Sequence, residues 1–220
     1  MSIEIPPVKV GVINIGFGNI GSCINMLDSI ENCETVIVEN YQDFKYTDML
    51  ILPGVGSFDT GMKLLKKREL CKPLIDYANK KNLLGICLGM QLISEGSEEG
   101  SEEGLGIISG YFKKFPKEDF NSKSLKVPCM GWNFVEYSLE KGYLSHEYAI
   151  NGVTRYYFVH SYYYAGPEEN VCGWSNHGIK YGVVINNKKT IGVQFHPEKS
   201  HDFGRKFLKN WINKNYEKTS

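Results

Sequence analysis

Apolar runs alternate with glycine-rich turns through the first 90 residues. Residues 8–15, V-K-V-G-V-I-N-I, are nearly continuously apolar and read as a buried strand. Ile20, Ile24, Leu27 and Ile30 recur at helical spacing, which predicts a helix over 20–30. A short second strand follows at 35–38, and M-L-I-L at 49–52 reads as a third. Leu70, Leu74, Ile75 and Ala78 mark the next helix, and L-L-G-I at 83–86 is a further apolar strand. Strand, helix, strand, strand, helix, strand is the order of a mainly parallel α/β sheet.

The second half changes period. Short β-like runs at 106–115, 132–137, 154–164, 182–185 and 190–195 are separated by turn residues such as Asn186 and Asn187. They read as antiparallel strands added to the parallel sheet. Phe203, Phe207, Leu208, Trp211 and Ile212 then form an amphipathic helix, with Lys206, Lys209 and Asn213 on its wet side. Between the halves, S-E-G-S-E-E-G-S-E-E-G at 94–104 is predicted to be a solvated loop, too polar to pack. With no repeat and no linker, the expectation is one α/β domain over 1–220 (core about 8–215), its central sheet flanked by helices.

Charge narrows the function classes. Lys+Arg and Asp+Glu are both 25, so no basic excess points to nucleic acid or a membrane surface. Residues 1–7 lack the features of a signal peptide, and no run approaches the ~18 apolar residues that span a bilayer. None of the six cysteines forms a C-x-x-C pair, so neither a zinc site nor a disulfide framework is expected, and the thiols suit the cytoplasm.

In a parallel sheet, ligands bind at the carboxyl ends of the strands. Three turns fall on that rim. Gly16, Gly18 and Gly21 follow the first strand in G-F-G-N-I-G, with Glu39 at the end of the second. This spacing does not exclude a dinucleotide loop, but the pattern alone is weak and it is read as a tight strand-to-helix turn. P-G-V-G-S-F at 53–58 is the second turn. The third is G-I-C-L-G-M-Q, where Cys87 sits between a strand and a helix start with glycines two residues either side. It has the form of the G-x-S-x-G nucleophile turn with sulfur in place of the hydroxyl. The helix end favours thiolate, and the following N–H, on Leu88, is aimed where an oxyanion would form. A nucleophilic cysteine needs a base and an orienting partner. G-V-Q-F-H-P-E-K-S supplies His196 at a strand end and Glu198 two residues on; a second histidine cluster is F-V-H-S-Y-Y at 158–163.

G-I-C-L-G-M-Q with G-V-Q-F-H-P-E resembles the class I (triad) glutamine amidotransferase family. P-G-V-G-S-F, M-G-W-N (130–133), F-V-H-S-Y and H-P-E-K-S resemble its members that serve as glutaminase subunits of imidazole glycerol phosphate synthases. The resemblance implies that Cys87 attacks the glutamine side-chain amide to form a thioester, that His196 moves protons and that Glu198 orients it. The oxyanion would be held by the Leu88 N–H and by the Gly54–Val55–Gly56 backbone, which in the family reorients to become competent. Gly56, Gln91, Ser161 and Tyr162 match positions that contact glutamine. Ammonia would pass to a (β/α)8-barrel synthase (cyclase) subunit making imidazole glycerol phosphate in histidine biosynthesis, as a heterodimer, with Asn14, Trp132 and Lys199 on the interface. No cofactor or metal is implied. The chain departs from the family at Asn14 and Ile15, usually aspartate and often tyrosine, and at Cys129. These departures keep open a second reading, a paralogue supplying ammonia to a sugar-modifying enzyme of glycan synthesis.

Overall fold

The computed structural model describes residues 6–16, 20–118, 124–138 and 153–216. Its parallel half is built from β1 (Val8–Ile13), β2 (Cys33–Val38), β3 (Met49–Gly54) and β4 (Asn82–Cys87), in the order β2-β1-β3-β4. Between them lie α1 (Ile20–Asp28), α2 (Phe58–Lys67) and α3 (Cys71–Ala78), and α4 (Leu88–Leu92) follows Cys87 directly. β3 and β4 are buried at every position, as strands covered on both faces must be. One core, on the face of α1 and the terminal helix α5 (His201–Tyr216), gathers Val10, Val12, Leu27, Phe207 and Trp211. The other gathers Leu50, Leu52, Phe58, Leu65 and Leu74 beneath α2 to α4.

The rest of the sheet is β5 (Gly96–Ser97), β6 (Tyr111–Lys114), β7 (Cys129–Tyr137), β8 (Val153–His160), β9 (Tyr162–Ala165), β10 (Val171–His177), β11 (Ile179–Asn187) and β12 (Thr190–Val193). The main order continues β4-β12-β11-β10-β7-β8. Everything beyond β12 in that order is antiparallel. Apart from β12 and the short parallel pair β5–β6, the antiparallel addition is as expected. β12 runs parallel to β4, with Val193 level with Ile86, so it extends the parallel sheet and carries the His196 segment to the Cys87 rim. Among the described residues no helix is long and apolar enough to cross a membrane.

Five further points of the pattern need correction. The run 154–164 is two strands with different partners, β8 on β7 and β9 on β6 and β11. The run 106–115 shortens to β6. α2 and β10 went unread, the first because its opening F-D-T-G carries little helical signal, the second because Gly173 and a register shift break its alternation. The polar loop 94–104 is not simply solvated: Ser94 and Ser97 are fully buried, and the loop closes on the start of α2. There Phe58 N–H donates to Glu99 at 2.9 Å, while Ser101 and Glu102 N–H donate to Asp59 at 2.9 and 3.0 Å. Carboxylates matched to backbone donors let so polar a segment pack.

Candidate active site

The Cys87 turn is set by backbone packing. Cys87 itself adopts φ 52°, ψ −106°, a conformation that non-glycine residues rarely hold. The flanking glycines are required for space. A Cβ on Gly89 would run into the Leu52 carbonyl, and one on Gly85 would come within 2.7 Å of the Gly89 carbonyl oxygen. The strained thiol is therefore clamped between β3 and the first turn of α4. Gly54 pairs with Cys87 across β3 and β4, which brings the P-G-V-G loop beside the sulfur, with Gly56 at φ 117°.

On the other flank, Phe195 stacks on Tyr156 at 3.9 Å and leads into His196, which is fully buried. His196 N–H donates to the Tyr157 carbonyl at 2.9 Å. Ser200 Oγ, also buried, donates to the His196 carbonyl at 2.6 Å and accepts from Tyr157 N–H at 2.9 Å, pinning the turn to β8. His196 Nδ1 and Glu198 Oε1 are 2.6 Å apart, so the carboxylate holds the proton on Nδ1 and leaves Nε2 free. Nε2 has no hydrogen-bond partner of its own. Burial works against charge on the ring, but the Cys87 sulfur and then Glu198 outweigh it, and His196 is pushed above the ordinary histidine value. An imidazole held in this way can give and take a proton beside the thiol.

A cavity of about 270 Å³ opens over this centre, with room for one amino-acid-sized molecule. It is lined by Val55, Gly56, Cys87, Leu88 and Gln91 on one side and by Ser161 and Tyr162 on the other. Gln91 is buried beside it, and its Oε1 has no hydrogen-bond partner. Gly54, His196 and Glu198 lie outside the lining, at the strand end and behind the thiol.

Beside Pro128 and Val159, two titratable lining residues had no role assigned from sequence. Glu99, from the loop read as solvated, brings a carboxylate to the wall, its pKa raised chiefly by burial. Its signal was obscured by the repeated S-E-E-G around it. His160 is buried and held neutral, pushed down to about 4 mainly by burial. Its Nδ1 lies 2.7 Å from the Tyr162 carbonyl and its Nε2 3.2 Å from Tyr181 Oη, so Nδ1 donates and Nε2 accepts. Tyr181 Oη also meets the Cys129 sulfur at 3.9 Å. Cys129, one of the departures, thus ends a chain through Tyr181 and His160 to the backbone of the Ser161–Tyr162 edge.

The candidate interface residues divide. Trp132 is 43% exposed, stacked on His201 and under Arg155, and shares its face of β7 with the more exposed Met130 and Phe134. Lys199 is exposed in the turn after His196. Asn14 is engaged within the chain, at the surface: its Nδ2 donates to Glu39 at 2.9 Å and its Oδ1 accepts from Gly16 N–H at 3.0 Å. An aspartate there would oppose Glu39, so the asparagine suits its neighbour. Glu39 is thereby engaged with Asn14 and Arg68, and Arg68 stands against Gly16. Residues 17–19, which include Gly18 of the dinucleotide-like pattern, lie outside the described residues. Among the described residues no group of three or more His, Cys, Asp or Glu could hold a metal.

A buried thiol on a strand-to-helix turn, an imidazole oriented by a carboxylate, and a small cavity over them make a site for acyl transfer through a thioester. The chain belongs to the class-I glutamine amidotransferase family, whose model matches residues 13–215. Within that family its sequence is similar to proteins named imidazole glycerol phosphate synthase subunit HisH. The HisH 2 of Pseudomonas aeruginosa is 40% identical over 204 residues, 91% of this chain and 97% of that protein. The HisH 2 of Methanococcus maripaludis is 41% identical over 210 residues, 92% and 98%. The fold agrees with solved structures at low identity: a putative GMP synthase component from Thermoplasma acidophilum has a TM-score of 0.70 at 18% identity, covering 98% of each chain. A glutamine amidotransferase has 0.69 at 19%, covering 92% and 98%.

Proposed function

We propose that this protein is the glutaminase subunit of an imidazole glycerol phosphate synthase: it hydrolyses glutamine and passes the ammonia to a (β/α)8-barrel synthase subunit in histidine biosynthesis, in the cytoplasm, as one domain over 1–220. The observation that carries it is the cavity over Cys87, with the His196–Glu198 pair at 2.6 Å behind the thiol and a carboxylate, Glu99, on the wall. The Cys87 thiolate attacks the side-chain amide carbon of glutamine. The Leu88 N–H, with Gly54 and Val55 backbone, stabilises the oxyanion. His196 protonates the departing ammonia, leaving a γ-glutamyl thioester. The neutral ring then takes a proton from water as it attacks, and the thiolate leaves with glutamate formed.

Recognition follows from the lining. Glu99 suits the α-ammonium of free glutamine. Gln91 Oε1 accepts from the substrate, and Gly56, Ser161 and Tyr162 hold its other polar groups. The exposed apolar stripe Met130–Trp132–Phe134 supports a docking face beside the cavity, since Val159, level with Met130 on β8, also lines the cavity. Trp132, Lys199 and the Asn14 turn contribute to it.

The test is glutamate release from glutamine, alone and with a barrel synthase subunit from the same cell plus its ribonucleotide substrate. Strong stimulation is expected. Stimulation only by a sugar-modifying synthase would keep the glutaminase and move the acceptor to glycan synthesis.

A further inference from the structure

Gln194 stands in the same G-V-Q-F-H-P-E segment as His196, yet no step above uses it. With Val193 level with Ile86 in the β12–β4 ladder, the next residue comes level with Cys87. Its main chain is fixed by Gln194 N–H donating to the Val183 carbonyl at 2.9 Å. Its side chain is fully buried, and Nε2 donates to the Cys87 sulfur at 3.8 Å. Its Oε1 has no hydrogen-bond partner. A buried amide with an unmet carbonyl is destabilising, and an apolar side chain of similar size would avoid that cost. Packing alone does not account for an amide at this position.

We propose that Gln194 is a further catalytic residue of the glutaminase, whose Nε2–H donates to the Cys87 sulfur in its thiolate state. The proposal rests on the reading of Cys87 as nucleophile. The sulfur carries charge twice in the cycle. It does so before attack, when the S–C bond forms and the C–N bond breaks with a proton delivered from His196. It does so again when water adds, the C–S bond breaks and the electron pair returns to sulfur. Gln194 transfers no proton in either half; it stabilises the anion that begins one and ends the other.

The sulfur has matched partners in each state. As a thiol, its S–H donates to the Val159 carbonyl at 3.8 Å. As a thiolate, it has the Gln194 amide and the His196 imidazolium. The titratable groups around it are His196 with Glu198 behind it, His160 and Tyr162 from the β8–β9 edge, and Glu99 from the 94–104 loop. Gln194 does not titrate, so a change in the alkylation profile on its removal reports the lost donor and not a second ionisation.

The experiment is the rate of Cys87 alkylation by iodoacetamide between pH 4 and 9, in the full chain, for wild type, Gln194→Leu and Gln194→Glu. The labelled cysteine is identified by peptide mass mapping and folding is checked by circular dichroism. Losing one donor to an anion should move the acid limb of the Gln194→Leu profile up by about one pH unit and slow alkylation about tenfold on its acid side. Gln194→Glu should move it further, a carboxylate opposing the thiolate. Should Gln194→Leu fail to fold, Gln194→Met replaces it. A folded variant with an unshifted limb would overturn the role of Gln194 alone. Alkylation directed in wild type to a cysteine other than Cys87 would overturn the nucleophile assignment as well.

Discussion

The two walls of the cavity are built by different means. The parallel wall, from β3, β4 and β12, holds Cys87 by backbone contact: glycines leave no room for a Cβ, and the thiol keeps its strained φ because the strands on both sides are buried throughout. The antiparallel wall, from β8 and β9, holds Ser161 and Tyr162 by side-chain bonds through His160, Tyr181 and Cys129, and the strand paired with it, β7, turns an exposed apolar face outward. Steric fixing places a reacting atom closely and tolerates no substitution. Fixing by a polar chain can be adjusted, and it lies on the side where a partner would dock. Chemistry is concentrated on the first wall and adjustable recognition on the second.

The sharpest break in that contrast is on the parallel wall. Cys87→Ala should abolish glutamine hydrolysis, by more than about 10³-fold, while the melting temperature stays close to wild type, because one thiol lost at a strand end opens little space. Gly89→Ala, also one methyl, should instead destabilise the whole fold, read by thermal denaturation. A Cys87→Ala protein that still releases glutamate would remove the nucleophile from this wall. Next in size, His196→Ala should cost one to two orders of magnitude more in kcat than Glu198→Gln, roughly as an acid–base group differs from the group that orients it. Equal losses would mean that Glu198 does more than orient.

The parallel wall was also the more legible one in the sequence. G-I-C-L-G and H-P-E place chemistry beside turns that only certain residues can make, so a local pattern carries it. Glu99 was hidden because its surroundings look like a solvated loop; only the fold brings Phe58 N–H to that carboxylate. His160 and Cys129 are distant in sequence and become neighbours through the β7–β8 register, which no local pattern encodes. β12 was read as a strand but not as parallel, since its direction depends on its pairing with β4 across more than 100 residues.

Recognition should respond more mildly than chemistry. Glu99→Gln should raise KM for glutamine about tenfold to a hundredfold with a smaller change in kcat, as expected for losing a charged hydrogen bond made throughout the cycle. A glutamine analogue lacking the α-ammonium should be nearly indifferent to the same substitution. If it is not, Glu99 supports the loop and α2 rather than the substrate. On the outer face, Trp132→Ala should weaken binding of the barrel subunit by about 2 kcal/mol, measured by titration calorimetry. An unchanged affinity would shift the docking face off β7.

The smallest effect tests the polar chain itself. His160 is held near pKa 4 in the folded protein against an ordinary value of 6.5, chiefly by burial. Above pH 6.5 both folded and unfolded chains leave the ring neutral and it adds no pH dependence. As pH falls from 6.5 toward 4 the unfolded chain takes up the proton first, so stability drops with acidification. Between pH 6.5 and 5 the loss attributable to this ring is about 1–2 kcal/mol. Protonation would also put a second donor on Nε2, where the ring now accepts from Tyr181, and so break the chain at its middle. His160→Asn removes the titration, so its urea-denaturation stability should fall less steeply over that interval than wild type, even if it is less stable at pH 7. A slope identical to wild type would mean that water reaches the ring and that the antiparallel wall is held by packing, like its opposite.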